Sequence, residues 1–193
     1  VGELFPKARS YLDVYDAYGL LRERAVYAHC IYLDDTDRKR MAETGAAMAF
    51  APTSNLFLGS GLLDYPRARQ AGIRIGLGTD IGGGTSFSLL QTGGEAYKIA
   101  SLYGTPLPGR TLLHLATRAG AEALAVGDRV GSLEIGHEAD LAVLDPAATE
   151  LSARRTRDSP TEETLFALFT LGDDRQIAAT YVDGRLAYSR ARG

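Results

Sequence analysis

An α/β fold on a parallel sheet is the class this sequence predicts, and three observations predict it. Three apolar stretches recur, ERAVYAHC (23–30), AAMAFAP (46–52) and IRIGLGTD (73–80), with polar helix-like segments between them. Each is nearly continuous in its apolar residues rather than alternating, which is the pattern of a strand covered on both faces. Each also ends in polar or glycine-rich residues, where a strand leaves the core.

The elements follow in order. After the first strand, DDTDRKRMAETG (34–45) reads as a helix capped by Asp35 or Thr36 and ended by Gly45. The second strand stops at Pro52, and TSNLFLGSGLLD (53–64) reads as a loop. YPRARQAG (65–72) is a short helix before the third strand; GGGTS follows that strand, then a helix over 87–104 weakened by Gly93 and Gly94. Beyond residue 104 the style changes. Residues 106–126 read as two helices separated near Gly120, 131–146 as a turn and a strand, 153–163 as a polar loop, and 164–172 as an apolar helix. RQIAATYVDGRLAYSR (175–190) is a hairpin around Asp183-Gly184, a dipeptide suited to a type I′ turn. Antiparallel elements after a parallel half predict a small β domain beginning near residue 130.

Composition narrows the function. The chain has 193 residues, 45% apolar and 23% charged, with a net charge of −3, which offers nothing to nucleic acid or an anionic membrane surface. No stretch approaches the roughly 20 apolar residues of a membrane span. The single cysteine, Cys30, excludes an internal disulfide and fits a reducing compartment. The chain opens VGELFPKARSYLD, without an initiator methionine or a signal peptide, which suggests a cut.

Right-handed crossovers bring the C-terminal ends of the three strands to one edge of the sheet, the edge that carries chemistry in α/β folds. His29, Asn55 and Asp80 converge there. Asp80 is either an N-cap or loop-bonding residue, or a metal ligand or general base. His29 is either a hydrogen-bonded structural residue or the partner of Asp80. Asn55 either orients its own loop or faces a ligand. Three glycines after Asp80 lower the bulk beside a carboxylate, and Gly83 stands in the middle of them. Two groups do not complete a catalytic zinc site, which commonly takes three or four protein ligands. His114 reads as a helix-face residue, His137 as a solvated turn residue, Cys30 as a small core residue, and Arg154–Arg157 as a solvated loop.

AHCIYL, FAPTSNLFLGSGL and GLGTDIGGGTSFSLLQTGGEAYK together resemble the guanine deaminase family of the amidohydrolase superfamily. LATRAGAEAL, GSLEIGHEADLAVLD and LGDDRQIAATYVDGRLAY resemble the remainder, so the likeness covers essentially the whole chain. GSLEIGHEADLAVLD is common across amidohydrolases, whereas PTSNLFLGSGL and TDIGGGTS are the specific parts. The resemblance implies a (β/α)8 TIM-like barrel with one Zn2+ and a small β-sandwich built from both chain ends. Residues 1–129 would be the C-terminal part of the barrel, its sixth to eighth strands. Residues 130–193 would serve mainly the small β domain, with a helix near 161–171.

The implied activity is zinc-dependent hydrolysis of guanine to xanthine and ammonia, a step of purine catabolism. Asp80 would be a metal ligand, a catalytic proton carrier and a substrate contact, and His29 a catalytic and substrate-positioning residue. Asn55 and Gly83 would bind substrate. The implied setting is a cytoplasmic homodimer acting on a small purine, without nucleic acid or membrane. The family's HxH pair and fifth-strand histidine with its glutamate have no counterpart here, and VGELFPKARSYLDVYD resembles the stretch just downstream of them. The chain is therefore expected to be the C-terminal portion, under half of such an enzyme, and inactive alone.

Three other readings stand beside this one. The chain could belong to another zinc aminohydrolase acting on an oxidised purine, pterin or triazine. GGGTS and the next helix could hold a phosphate, although Asp80 before the loop opposes an anion and the first lysine after it is Lys98. The chain could also be a catalytically silent remnant.

Overall fold

The computed structural model describes residues 1–190; the last three residues of the expected C-terminal segment lie outside the described residues. Strands β1 (Val26–Ala28), β2 (Ala47–Phe50) and β3 (Arg74–Leu77) form a parallel sheet in the order β1-β2-β3, so neighbours in sequence are neighbours in space. The register pairs Tyr27 with Met48 and Met48 with Ile75. In the central strand β2, Ala47, Met48 and Phe50 are buried, as expected of a strand covered on both faces. Strand β1 departs from that expectation. It is one of the two edges of the sheet, and none of its three residues is buried.

Helix α1 (Tyr11–Ala17) precedes the sheet, and α2 (Asp35–Thr44) links β1 to β2. The cap of α2 is Asp34, one residue before the expected positions, because its carboxylate accepts from the Asp37 N–H at 2.7 Å. Gly45 closes the helix in the left-handed region, as expected. Residues expected to form only a loop after β2 begin with a short helix, α3 (Pro52–Phe57), with proline at its first turn. Helix α4 (Tyr65–Gln70), capped by Asp64, leads into β3.

Helix α5 (Leu89–Leu102) tolerates Gly93 and Gly94 for a packing reason. A Cβ on Gly93 would overlap the Phe169 ring, and one on Gly94 would lie 2.5 Å from the Phe169 carbonyl oxygen. Phe169 belongs to α9 (Thr161–Leu171), which packs on α5 and on α6 (Gly109–Ala116). Tyr97 and Phe166 meet edge to face at 4.9 Å across the same crossing. The break between α6 and α7 (Arg118–Ala123) falls at Thr117, not near Gly120, which lies inside α7 against β3.

Strand β4 (Leu141–Leu144) is followed by α8 (Glu150–Thr156), a helix where a polar loop was expected. Thr149 and Ser152 cap it reciprocally, and Arg154 and Arg155, expected on a solvated loop, pair with Glu150 and Glu163. After α9, a single 3-10 turn leads to β5 (Ile177–Val182) and β6 (Arg185–Ser189), and β4, β5 and β6 make an antiparallel sheet. Asp183 and Gly184 are both left-handed, as the type I′ reading requires. No helix among the described residues is long and apolar enough to cross a membrane.

Candidate active site

The three strand ends meet as the topology requires. The His29 N–H donates to Ala49 O at 3.2 Å and the Gly78 N–H to Phe50 O at 2.9 Å, carrying the ladder to the sheet edge. His29, Cys30 and Asp80 then turn with φ of 66°, 51° and 49°. Left-handed backbone is uncommon outside glycine and clusters at functional sites, where surrounding structure enforces it. Here it aims two side chains toward each other. His29 Nε2 lies 3.8 Å from Asp80 Oδ2, with 43% and 41% of the two side chains exposed. Both remain open to something arriving from outside the chain.

Asn55 reaches the same edge from α3 and is 1% exposed. Its Oδ1 stands 2.8 Å from His29 Nδ1, so the carbonyl accepts from the ring N–H. Thr53, from the same turn, donates to Thr79 O at 3.2 Å and ties α3 to the aspartate loop. Sequence reasoning missed this tie; Thr53 and Thr79 are far apart in the chain, and a hydroxyl after a strand carries no signal of a distant partner.

The glycine loop after Asp80 separates into distinct demands. Gly82 has φ of +113°, a conformation that side chains resist. A Cβ on Gly84 would collide with Thr79 O and come within 2.9 Å of Thr53 Oγ1. The Gly84 N–H donates to Asp80 O at 2.5 Å, closing the loop on itself. Only Gly83 faces the carboxylate. A Cβ there would lie 3.2 Å from Asp80 Oδ2 and 3.4 Å from both Leu58 Cδ1 and Ser54 Cβ.

The remaining candidates fall outside the site. Cys30 donates weakly to Tyr27 O, and burial pushes its thiol up to about 12, which keeps it protonated at neutral pH. His114 is exposed on α6. His137, expected to be solvated, is instead 13% exposed and held by Ser132 at 2.9 Å.

Zinc asks for more than the described residues supply. Among the described residues no three His, Cys, Asp or Glu side chains lie close enough to share an ion. Asp80 and His29 are two donors, and a zinc site commonly takes three or four protein ligands.

Residues 2–187 match the sequence profile of the Amidohydrolase family. The chain belongs to the amidohydrolase family. Among curated amidohydrolase relatives, the guanine deaminase of Escherichia coli (strain K12) is 47% identical over 191 residues, covering 98% of this chain and 44% of the relative. The solved structure of E. coli guanine deaminase superposes with a TM-score of 0.96 at 46% identity, covering 98% of this chain and 45% of that one. A guanine deaminase from C. acetobutylicum, solved with guanine in its active site, gives 0.86 at 28% identity, covering 97% and 45%. An adenosine deaminase from Xanthomonas campestris, solved with bound zinc, gives 0.83 at 26%, covering 98% and 43%. This amidohydrolase chain thus spans less than half the length of the curated relatives it matches.

Proposed function

We propose that this chain is the C-terminal part of a guanine deaminase, an aminohydrolase that converts guanine and water to xanthine and ammonia. The observation that carries the reading is the convergence of His29 and Asp80 at one sheet edge, with Gly83 packed closely beside the Asp80 carboxylate. Its likeness across nearly the whole chain to proteins named guanine deaminase supports the choice of substrate. In this reading residues 1–129 are the last three units of a (β/α)8 barrel, and 130–193 serve mainly a small β-sandwich domain. The expected setting is a cytoplasmic homodimer acting on a small purine.

The chain's own residues then divide the work. The flat purine lies beside His29 and Asp80, and Gly83 lets its loop pack against the Asp80 carboxylate, on which a side chain would press. Asp80 takes a proton from the attacking water and returns it to the departing amine. His29 hydrogen-bonds the attacking oxygen and holds the ring in place. Asp80 would also serve as one ligand of a zinc ion, which needs further ligands besides those described. When bound, zinc makes water acidic enough to attack at neutral pH.

The test joins the part of E. coli guanine deaminase that precedes the matched region to this chain and measures xanthine release. The chimera is expected to deaminate guanine, and the chain alone to release no xanthine. Asp80→Asn or His29→Gln is expected to slow the chimera by about 10²–10⁴-fold, the usual contribution of a positioned proton carrier. A folded, zinc-containing chimera that leaves guanine untouched, or prefers a pterin or triazine, overturns the reading.

A further inference from the structure

We infer that Asn55 is a positioning residue that acts through His29, fixing both the orientation and the tautomer of the imidazole. The inference rests on the reading of His29 as part of a deaminase site. Asn55 is buried, so a purine at the sheet edge does not meet its side chain directly. The 2.8 Å contact to His29 Nδ1 is the one hydrogen bond its side chain makes among the described residues, and its Nδ2 finds no partner there. A buried amide left half-satisfied carries a desolvation cost that an apolar residue would not. Helix α3 nevertheless places this group against the ring.

The chemistry of the pair decides which way the proton sits. A carbonyl oxygen only accepts, so Oδ1 against Nδ1 requires the hydrogen on Nδ1. Nε2 is then the nitrogen with a free lone pair, and it is the one that faces Asp80 at 3.8 Å. A neutral imidazole free in water has no such fixed choice. The left-handed backbone at His29 sets where the ring leaves the strand, and Asn55 sets its rotation and which nitrogen faces the substrate. Cys30 cannot substitute, because its sulfur is turned to Tyr27 O.

The test reads the tautomer directly, by 15N spectroscopy of histidine-labelled chimera, with the His29→Gln spectrum identifying the His29 signals. His29 is expected to carry its hydrogen on Nδ1 in the parent protein and in Asn55→Asp, which keeps the acceptor oxygen. Asn55→Leu is expected to lose that preference and to lower kcat by about 10- to 100-fold, the usual effect of removing a group that orients a functional imidazole. A hydrogen on Nε2 in the parent protein overturns the inference, with no variant needed should Asn55→Leu fail to fold. Equal loss of kcat in Asn55→Asp and Asn55→Leu, or no loss in Asn55→Leu, overturns it as well. If the parent chimera leaves guanine untouched, the functional reading fails while the tautomer measurement still decides the role of Asn55.

Discussion

Gly83 carries a sharper demand than its neighbours, because the atom nearest its missing side chain is a carboxylate oxygen rather than backbone. Gly83→Val is expected to press on the Asp80 carboxylate and so to raise KM or abolish guanine turnover in the chimera. Normal turnover by that variant would mean that Asp80 does not depend on the close packing of Gly83 against it. Gly84→Ala is a different experiment, since its Cβ runs into the Thr79 carbonyl; it is expected to cost about 1–3 kcal/mol of stability, measured by urea denaturation. How readable these residues were depended on distance along the chain. His29 and Asp80 could be found because each closes an apolar strand, and parallel topology sends such ends to one edge. The bond between Asn55 and His29 could not, because 26 residues separate them and an asparagine after a strand usually bonds to its own loop. Nor does sequence alone reveal that His29, Cys30 and Asp80 adopt left-handed backbone.

The crossing of α5 and α9 sets two neighbouring glycines apart. Gly93 is blocked by a side chain, the Phe169 ring, and Gly94 by the Phe169 carbonyl. Alanine at either site gains up to about 1 kcal/mol in helix propensity but must push the helices apart, at about 1–3 kcal/mol. Both variants are therefore expected to lower the urea midpoint of the chimera. Phe169→Leu should recover part of the loss for Gly93→Ala and none for Gly94→Ala. Helices α1 and α2 are joined differently, through charge. The Arg9 backbone N–H, with the Arg9 and Arg40 guanidiniums, holds the Asp13 carboxyl below its ordinary value of 3.8. Because folding lowers this pKa, the contribution is complete above pH 3.8 and fades as pH falls through the folded value. Asp13→Asn is expected to reduce Tm at neutral pH, with the difference from the parent closing as the medium is acidified below about 3.8. Longer segments such as α2 and α5 were legible from pattern, and Gly45 marked the end of α2, although its first cap fell at Asp34. Helices α3 and α8 were not: α3 opens on Pro52, Thr53, Ser54 and Asn55, residues that favour loops, and the Thr149–Ser152 cap lacks the Glu or Gln that marks such a box.

The parallel order β1-β2-β3 followed from the sequence because each strand pairs with the next. What covers the sheets did not, because no residue of β1 or of the small antiparallel sheet β4–β6 is buried. Exposed strand edges and apolar faces recruit other chains. The chain alone is accordingly expected to be polydisperse in light scattering, and the chimera to give a single species. A sharp monomer peak and cooperative melting from the chain alone would contradict this. The return of α9 over α5 and α6 has a further consequence, one of time. About 90 residues separate the end of β3 from the end of α9. At about 5–20 residues per second, synthesis takes roughly 5 to 20 s to deliver the helix that covers them. Until then the parallel sheet and α5 can form but the glycine face of α5 has no lid, so the slowest step in making this fold can be translation itself, and a chain stopped short of Phe169 would leave that face bare for good.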